Sequence, residues 1–124
     1  MIFLDTTIFV SGADESDTLH SDGVATLRAL GEEKLPEAVT TDFVMDEVLT
    51  LLRRRHAKPN IISDVAESLI TSRLLRIVYV DASIFKESLV TFRKYGQLSF
   101  TDAVTLAVMK KYKIREILLP RFRL

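Results

Sequence analysis

The chain has no cysteine, and that removes disulfides and thiolate zinc sites together; the absence is compatible with a reducing compartment, so a cytoplasmic location is expected. It also has no excess of charge of either sign, with 17 basic and 17 acidic residues. Attraction to an anionic polymer would therefore have to come from local clustering of charge rather than from the net balance. No apolar stretch is long enough to span a bilayer. The opening Met1-Ile2-Phe3-Leu4 lacks the basic n-region of an export signal, and no membrane partner is expected. With only four glycines and three prolines, the sequence shows no linker, repeat or low-complexity segment. Two histidines, His20 and His56, are read as ordinary surface residues.

What is present is the composition of an ordinary globular protein. Among 124 residues, 48% are apolar and 27% charged. A chain of this length buries roughly two-thirds of its unfolded surface, so a single domain over residues 1–124 is expected. The run Ile2 to Leu4, closed by Asp5-Thr6-Thr7, predicts a strand over residues 1–5, buried on both faces and ending in a polar turn. Leu19, Val24, Leu27 and Leu30 predict a first helix, interrupted by Gly31 and Pro36. Ala38-Val39-Thr40-Thr41 reads as a second strand. Val44, Val48, Leu51 and Leu52 then form the stripe of a second helix running to Arg53-Arg54-Arg55.

Pro59 is placed to open a third helix, with Ile61, Ile62, Val65, Leu69 and Ile70 on its buried side and its end near Arg73. Leu74 to Val80 is β-branched and aromatic, which suits a central strand. Ile84, Phe85, Leu89 and Phe92 predict a fourth helix that Gly96 ends in the left-handed conformation. Ser99 begins a fifth, burying Ala103, Leu106, Ala107 and Met109, and Ile114 to Leu119 forms a last strand before Pro120. Strands separated by helical segments need crossover connections. The expected fold class is α/β, a three-layer α/β/α domain with a short central parallel sheet.

Three acids carry the chemical argument. Asp5 follows the first strand, where parallel sheets open a crevice for ligands; a turn or capping aspartate is the structural alternative. Glu47, three residues after Val44, falls on the apolar stripe of the second helix, where a carboxylate needs a partner or a cation. Its neighbour Asp46 points to the solvated side, and for Glu47 the structural alternative is an ion pair. Asp102, in Ser99-Phe100-Thr101-Asp102, fits a capping box with Asp in place of Glu and also favours the helix dipole. Facing one crevice, the three would repel each other, and a cation relieves that most simply. Oxygen donors without His or Cys favour magnesium or manganese. A phosphate-binding glycine loop, a Gly-x-Ser-x-Gly elbow and the second aspartate of the haloacid dehalogenase phosphatases are all missing. A phosphotransfer receiver also clusters acids at strand ends, but the aspartate ending a central third strand and the later lysine are not in place.

The segments Phe3-Leu4-Asp5-Thr6-Thr7, Asp46-Glu47-Val48-Leu49 and Leu98-Ser99-Phe100-Thr101-Asp102-Ala103 resemble, in order and spacing, the three acidic motifs of PIN-domain ribonucleases. The likeness spans essentially the whole chain and is nearest to the small toxins of the VapC type. It implies a magnesium- or manganese-dependent endoribonuclease with Asp5, Glu47 and Asp102 as catalytic metal-binding residues and Thr7 as the small polar residue beside them. An RNA substrate, a cognate antitoxin and a homodimer are the partners it implies. One departure is visible: where the family places a fourth acid, after the last strand, this chain reads Leu118-Leu119-Pro120-Arg121. Arg121 would repel a second cation or could bind a substrate phosphate bidentately. The alternative function is therefore a catalytically weakened PIN domain that binds RNA or protein. Arg53, Arg54, Arg55 and Lys58, with Lys110, Lys111, Lys113 and Arg115, either favour helix C-termini or, if they flank the crevice, hold an RNA backbone.

Overall fold

The structure, a computed structural model, describes residues 1–119. Its elements run β1 (Ile2–Leu4), α1 (Thr6–Ala13), α2 (His20–Gly31), β2 (Ala38–Thr41), α3 (Asp42–Arg54), α4 (Pro59–Thr71), β3 (Leu75–Val78), α5 (Ala82–Lys94), α6 (Phe100–Tyr112) and β4 (Glu116–Leu118). The four strands form one parallel sheet in the order β3-β2-β1-β4. Ile2 pairs with Ala38 on one side of β1 and with Glu116 on the other. The expected α/β class and parallel sheet are what forms.

The helices of the two outbound crossovers pack in series, α1 on α2 and α3, and α3 on α4; those of the return crossover pack as the pair α5 and α6. Right-handed crossovers stepping one way and then back put the two groups on opposite faces of the sheet. Between them Phe3, Leu4, Val39, Val44, Val48, Leu52, Val104 and Val108 are fully buried in one core.

Several expectations are corrected. Residues 6–13 form the helix α1 where the sequence suggested only a turn. Thr6, Ile8, Phe9, Val10 and Ser11 are all buried there, so the segment shows no clear amphipathic period to read. Gly96 does not end α5 in a left-handed conformation. Tyr95 caps it at φ −117°, and the left-handed residues among those described are Glu33, His56 and Lys113. The third strand lies at the sheet edge, not its centre, and leaves Tyr79 exposed just beyond it. On α6 the buried set is Ala103, Val104, Thr105, Ala107 and Val108, while Leu106 is exposed. Ile61 and Ile70 of α4 and Phe85 and Phe92 of α5 also reach the surface. His20 is half-buried, its Nδ1 2.7 Å from the Ser11 carbonyl oxygen, so it joins α2 to α1.

Candidate active site

The strand order places a topological switch beside β1. The chain steps from β1 to β2 to β3 in one direction, then returns past all of them to β4, so the crossover leaving β1 and the one arriving at its neighbour β4 run on opposite faces. In parallel sheets such a point opens a crevice at the carboxyl ends of the strands. Asp5 is the residue immediately after β1. The end of β1 is held in place by Thr40 of β2, whose buried Oγ1 donates to the Leu4 carbonyl oxygen at 3.0 Å.

Asp5 occupies the N-cap position of α1 in extended conformation, yet its side chain caps nothing. Instead its Oδ2 accepts a hydrogen bond from Thr7 Oγ1 at 3.1 Å, and Oδ1 has no partner among the described residues. The capping explanation for this aspartate is thus not realised. Contrast Asp81 and Thr41, N-caps of α5 and α3, whose side chains do accept from Ile84 N and Val44 N.

Glu47 sits on α3 with Val48 and Leu52 buried beside it, is itself half-buried, and has no ion-pair or hydrogen-bond partner among the described residues. Among those residues the ion-pair explanation is not realised. Asp46 is exposed, as its position on the helix suggested. For Asp102 the structural alternative is real: its backbone N–H donates to Ser99 Oγ at 3.1 Å and its Oδ2 accepts from Ser99 N at 3.4 Å. That capping box starts α6 and fixes the carboxylate in the first turn.

Asp5, Glu47 and Asp102 offer hard oxygen donors, the right chemistry for magnesium or manganese. Their side chains as they stand are not drawn together. Among the described residues no three acidic, histidine or cysteine side chains gather into a group that could hold a metal ion. Arg121 lies outside the described residues.

Supporting residues not read from the sequence surround this edge. Asp42 Oδ1 accepts from Val80 N at 3.1 Å, tying the start of α3 to the chain leaving β3. Phe43 on α3, Phe85 and Phe92 on α5 and Phe100 on α6 form a ring cluster, with Phe100 5.7 Å from Phe43, 5.0 Å from Phe85 and 5.6 Å from Phe92. One signal could have found it: Phe43 lies four residues before Glu47, and Phe100 two before Asp102.

The basic clusters lie elsewhere. α3 starts directly after β2 and runs away from the carboxyl edge, and α6 starts beside Phe43 and ends at the entry to the parallel strand β4. By helix rise Arg54 is about 10 Å along the axis from Glu47, and Lys111 about 13 Å from Asp102. Arg55 is already engaged, its Nη1 3.0 Å from Asp14 Oδ2 and 2.7 Å from Asp17 Oδ2. Hydrogen bonds from Ser16 and then Arg55 hold the Asp14 carboxyl below its ordinary range, and the Arg55 hydrogen bond does the same for Asp17. Lys110 lies 3.4 Å from Glu87, and Lys111 4.0 Å from Asp81.

Comparison with known proteins identifies the family and the fold. The family model described as PIN domain matches residues 2–119. A VapC ribonuclease of Archaeoglobus fulgidus is 30% identical over 117 residues, covering 92% of this chain and 73% of the relative. The 23S rRNA-specific endonuclease VapC20 of Mycobacterium tuberculosis is 29% identical over 117 residues, covering 93% and 85%. The crystal structure of that organism's VapC20, a sarcin-ricin loop cleaving toxin, superposes with a TM-score of 0.77 at 27% identity over 94% of this chain and 87% of the other. A toxin-antitoxin complex from Klebsiella pneumoniae shares the fold, with a TM-score of 0.63 at 14% identity and 98% coverage of both chains.

Proposed function

Because the chain belongs to the PIN-domain family, we propose that it is an endoribonuclease, the toxin of a toxin-antitoxin pair, hydrolysing RNA phosphodiester bonds at the carboxyl edge of its sheet. The observation that carries this is Asp5. It is a carboxylate at the topological switch that does not cap its helix and pairs with no basic side chain among the described residues, in a chain 30% identical to a VapC ribonuclease. Asp5, Glu47 and Asp102 are the residues that would hold magnesium or manganese. When bound, such an ion supplies an activated water and stabilises charge on the phosphoryl oxygens.

The protein's own contribution is positioning. Thr7 holds one oxygen of Asp5, and the Ser99 capping box holds Asp102 in the first turn of α6. The Thr40 bond keeps the end of β1 from shifting. Regulation by an antitoxin segment covering the acidic crevice, and assembly as a homodimer, belong to the same proposal.

The test is cleavage of a labelled RNA by the wild-type protein and Asp5→Asn with manganese and with chelator. Wild-type cleavage that chelator abolishes and that Asp5→Asn lowers by about 10²-fold or more is expected. No cleavage by the wild type, or equal cleavage by Asp5→Asn, overturns it. RNA binding by both proteins with cleavage by neither is the mark of the alternative, a binding module.

A further inference from the structure

We propose that Phe85 and Phe92, on the exposed shoulder of α5, form a stacking platform for unpaired bases of the RNA. This rests on the RNA-cleaving reading above and adds which side chains of this chain would take the bases.

The two rings are seven residues apart on one helix, hence on one face and about 10 Å apart along the axis. The residues that face the core on this helix are Ile84 and Ser88. Phe85 and Phe92 remain 42% and 41% exposed, so a large part of each residue is open to solvent. They are held from behind by Phe100, at 5.0 and 5.6 Å, and Phe43 lies 6.5 Å from Phe85. Those two supporting rings belong to the helices that carry the acids. Phe43 shares a face of α3 with Glu47, one turn on, and Phe100 is in the same first turn of α6 as Asp102. The platform therefore borders the edge where a phosphodiester would be cut.

Charge on the same helix says what covers this surface. Lys86 and Arg93 repeat the spacing of the two rings one position later, about 100° further round the helix. Both are exposed, and neither has an ion-pair partner among the described residues. Aromatic faces beside an unpaired basic stripe are the combination that binds single strands, rings taking bases and cations tracking the backbone. A second copy fits less well: a two-fold contact sets a patch against itself, and would bring Lys86 and Arg93 toward their own counterparts. Stacking on a side chain also requires a base free of its own helix, which duplex RNA does not offer.

The probe is a mixed-sequence single-stranded oligoribonucleotide carrying 2-aminopurine, titrated in chelator so that binding is read without cleavage. Wild-type protein is expected to bind it and quench the fluorophore. Phe85→Leu/Phe92→Leu, which keeps apolar volume but removes the ring faces, should weaken binding on the order of tenfold and lose the quench. Phe85→Tyr/Phe92→Tyr should restore both. Lys86→Glu/Arg93→Glu should weaken binding and lower the salt slope by roughly 1.4. A blunt duplex should be bound equally by wild type and the leucine variant.

Unchanged affinity and quench in the leucine variant overturn the proposal. So does a wild-type dimer that becomes monomeric in the leucine variant while RNA affinity holds, which makes the surface a subunit contact. Quenching by a wild type that never cleaves RNA with manganese sinks the nuclease reading and leaves the platform standing.

Discussion

Replacing Gly23 by alanine tests how α1, the helix that begins at the candidate site, is held. A Cβ at Gly23 would lie 2.6 Å from Gly12 N and 2.9 Å from the Ser11 carbonyl carbon, and would also meet Ser11 Oγ. Two of these are backbone atoms of α1, so relief requires the helices to move apart. Overpacking of this kind costs about 1–3 kcal/mol, and more where backbone must shift. Removing a glycine from a helix interior returns about 1 kcal/mol. With the backbone clash at the upper end, Gly23→Ala should lose about 2 kcal/mol net.

Gly31→Ala supplies the control, because nothing lies within 4 Å of its Cβ. There only the chain-entropy term acts, and stability should rise by about 0.5 kcal/mol. Gly12→Ala should fall between them, since its Cβ meets Leu27 Cδ1 at 2.5 Å, the movable end of a side chain. Urea unfolding with m unchanged across the series gives the ranking through the midpoints. If Gly23→Ala proved as stable as Gly31→Ala, the close approach of α1 and α2 would be refuted.

Three further outcomes are expected. Asp14 and Asp17 have lowered carboxyl pKa values, so they stabilise the fold above their ordinary value of 3.8, and this is lost as pH falls through the lowered folded values. Arg55→Ala should cost about 1 kcal/mol at neutral pH and flatten that acid limb, read by urea midpoints from pH 6 down to the acid transition. Ser99→Ala should cost about 1 kcal/mol by removing the cap, while Asp102→Asn, which can still accept from Ser99 N, should change stability little and cut RNA cleavage about 10²-fold or more; equal cleavage would leave Asp102 only a structural role. Thr105 Oγ1 is buried with no hydrogen-bond partner among the described residues, so Thr105→Val should raise stability by about 1 kcal/mol in thermal or urea unfolding.

The amino-acid sequence alone determined the features whose causes are local. Ile2-Phe3-Leu4 is apolar without interruption because β1 is covered on both faces, and that reads directly. Pro59 opens α4 at N1, where its missing N–H costs nothing, and Ser99 with Asp102 forms the capping box its spacing implies. Glu47 was distinguishable from Asp46 because helical period alone assigns their faces.

Tertiary structure decided everything that depends on what surrounds a segment. The sequence of α1 shows no clear amphipathic period, and its burial around most of the helix, with Thr7 left exposed, is set by the packing. Which glycine matters was settled by neighbours: Gly23 touches α1, while Gly96 takes no left-handed conformation. Asp5 as a cap and Asp5 as an available carboxylate have the same sequence, and only the direction of its hydrogen bond to Thr7 separates them. The strand order sent the basic ends of α3 and α6 away from the carboxyl edge, and the packing of α5 left Phe85 and Phe92 partly exposed. Periodicity records which residues share a face, but the packing of the whole chain sets which face meets the core and which the ligand.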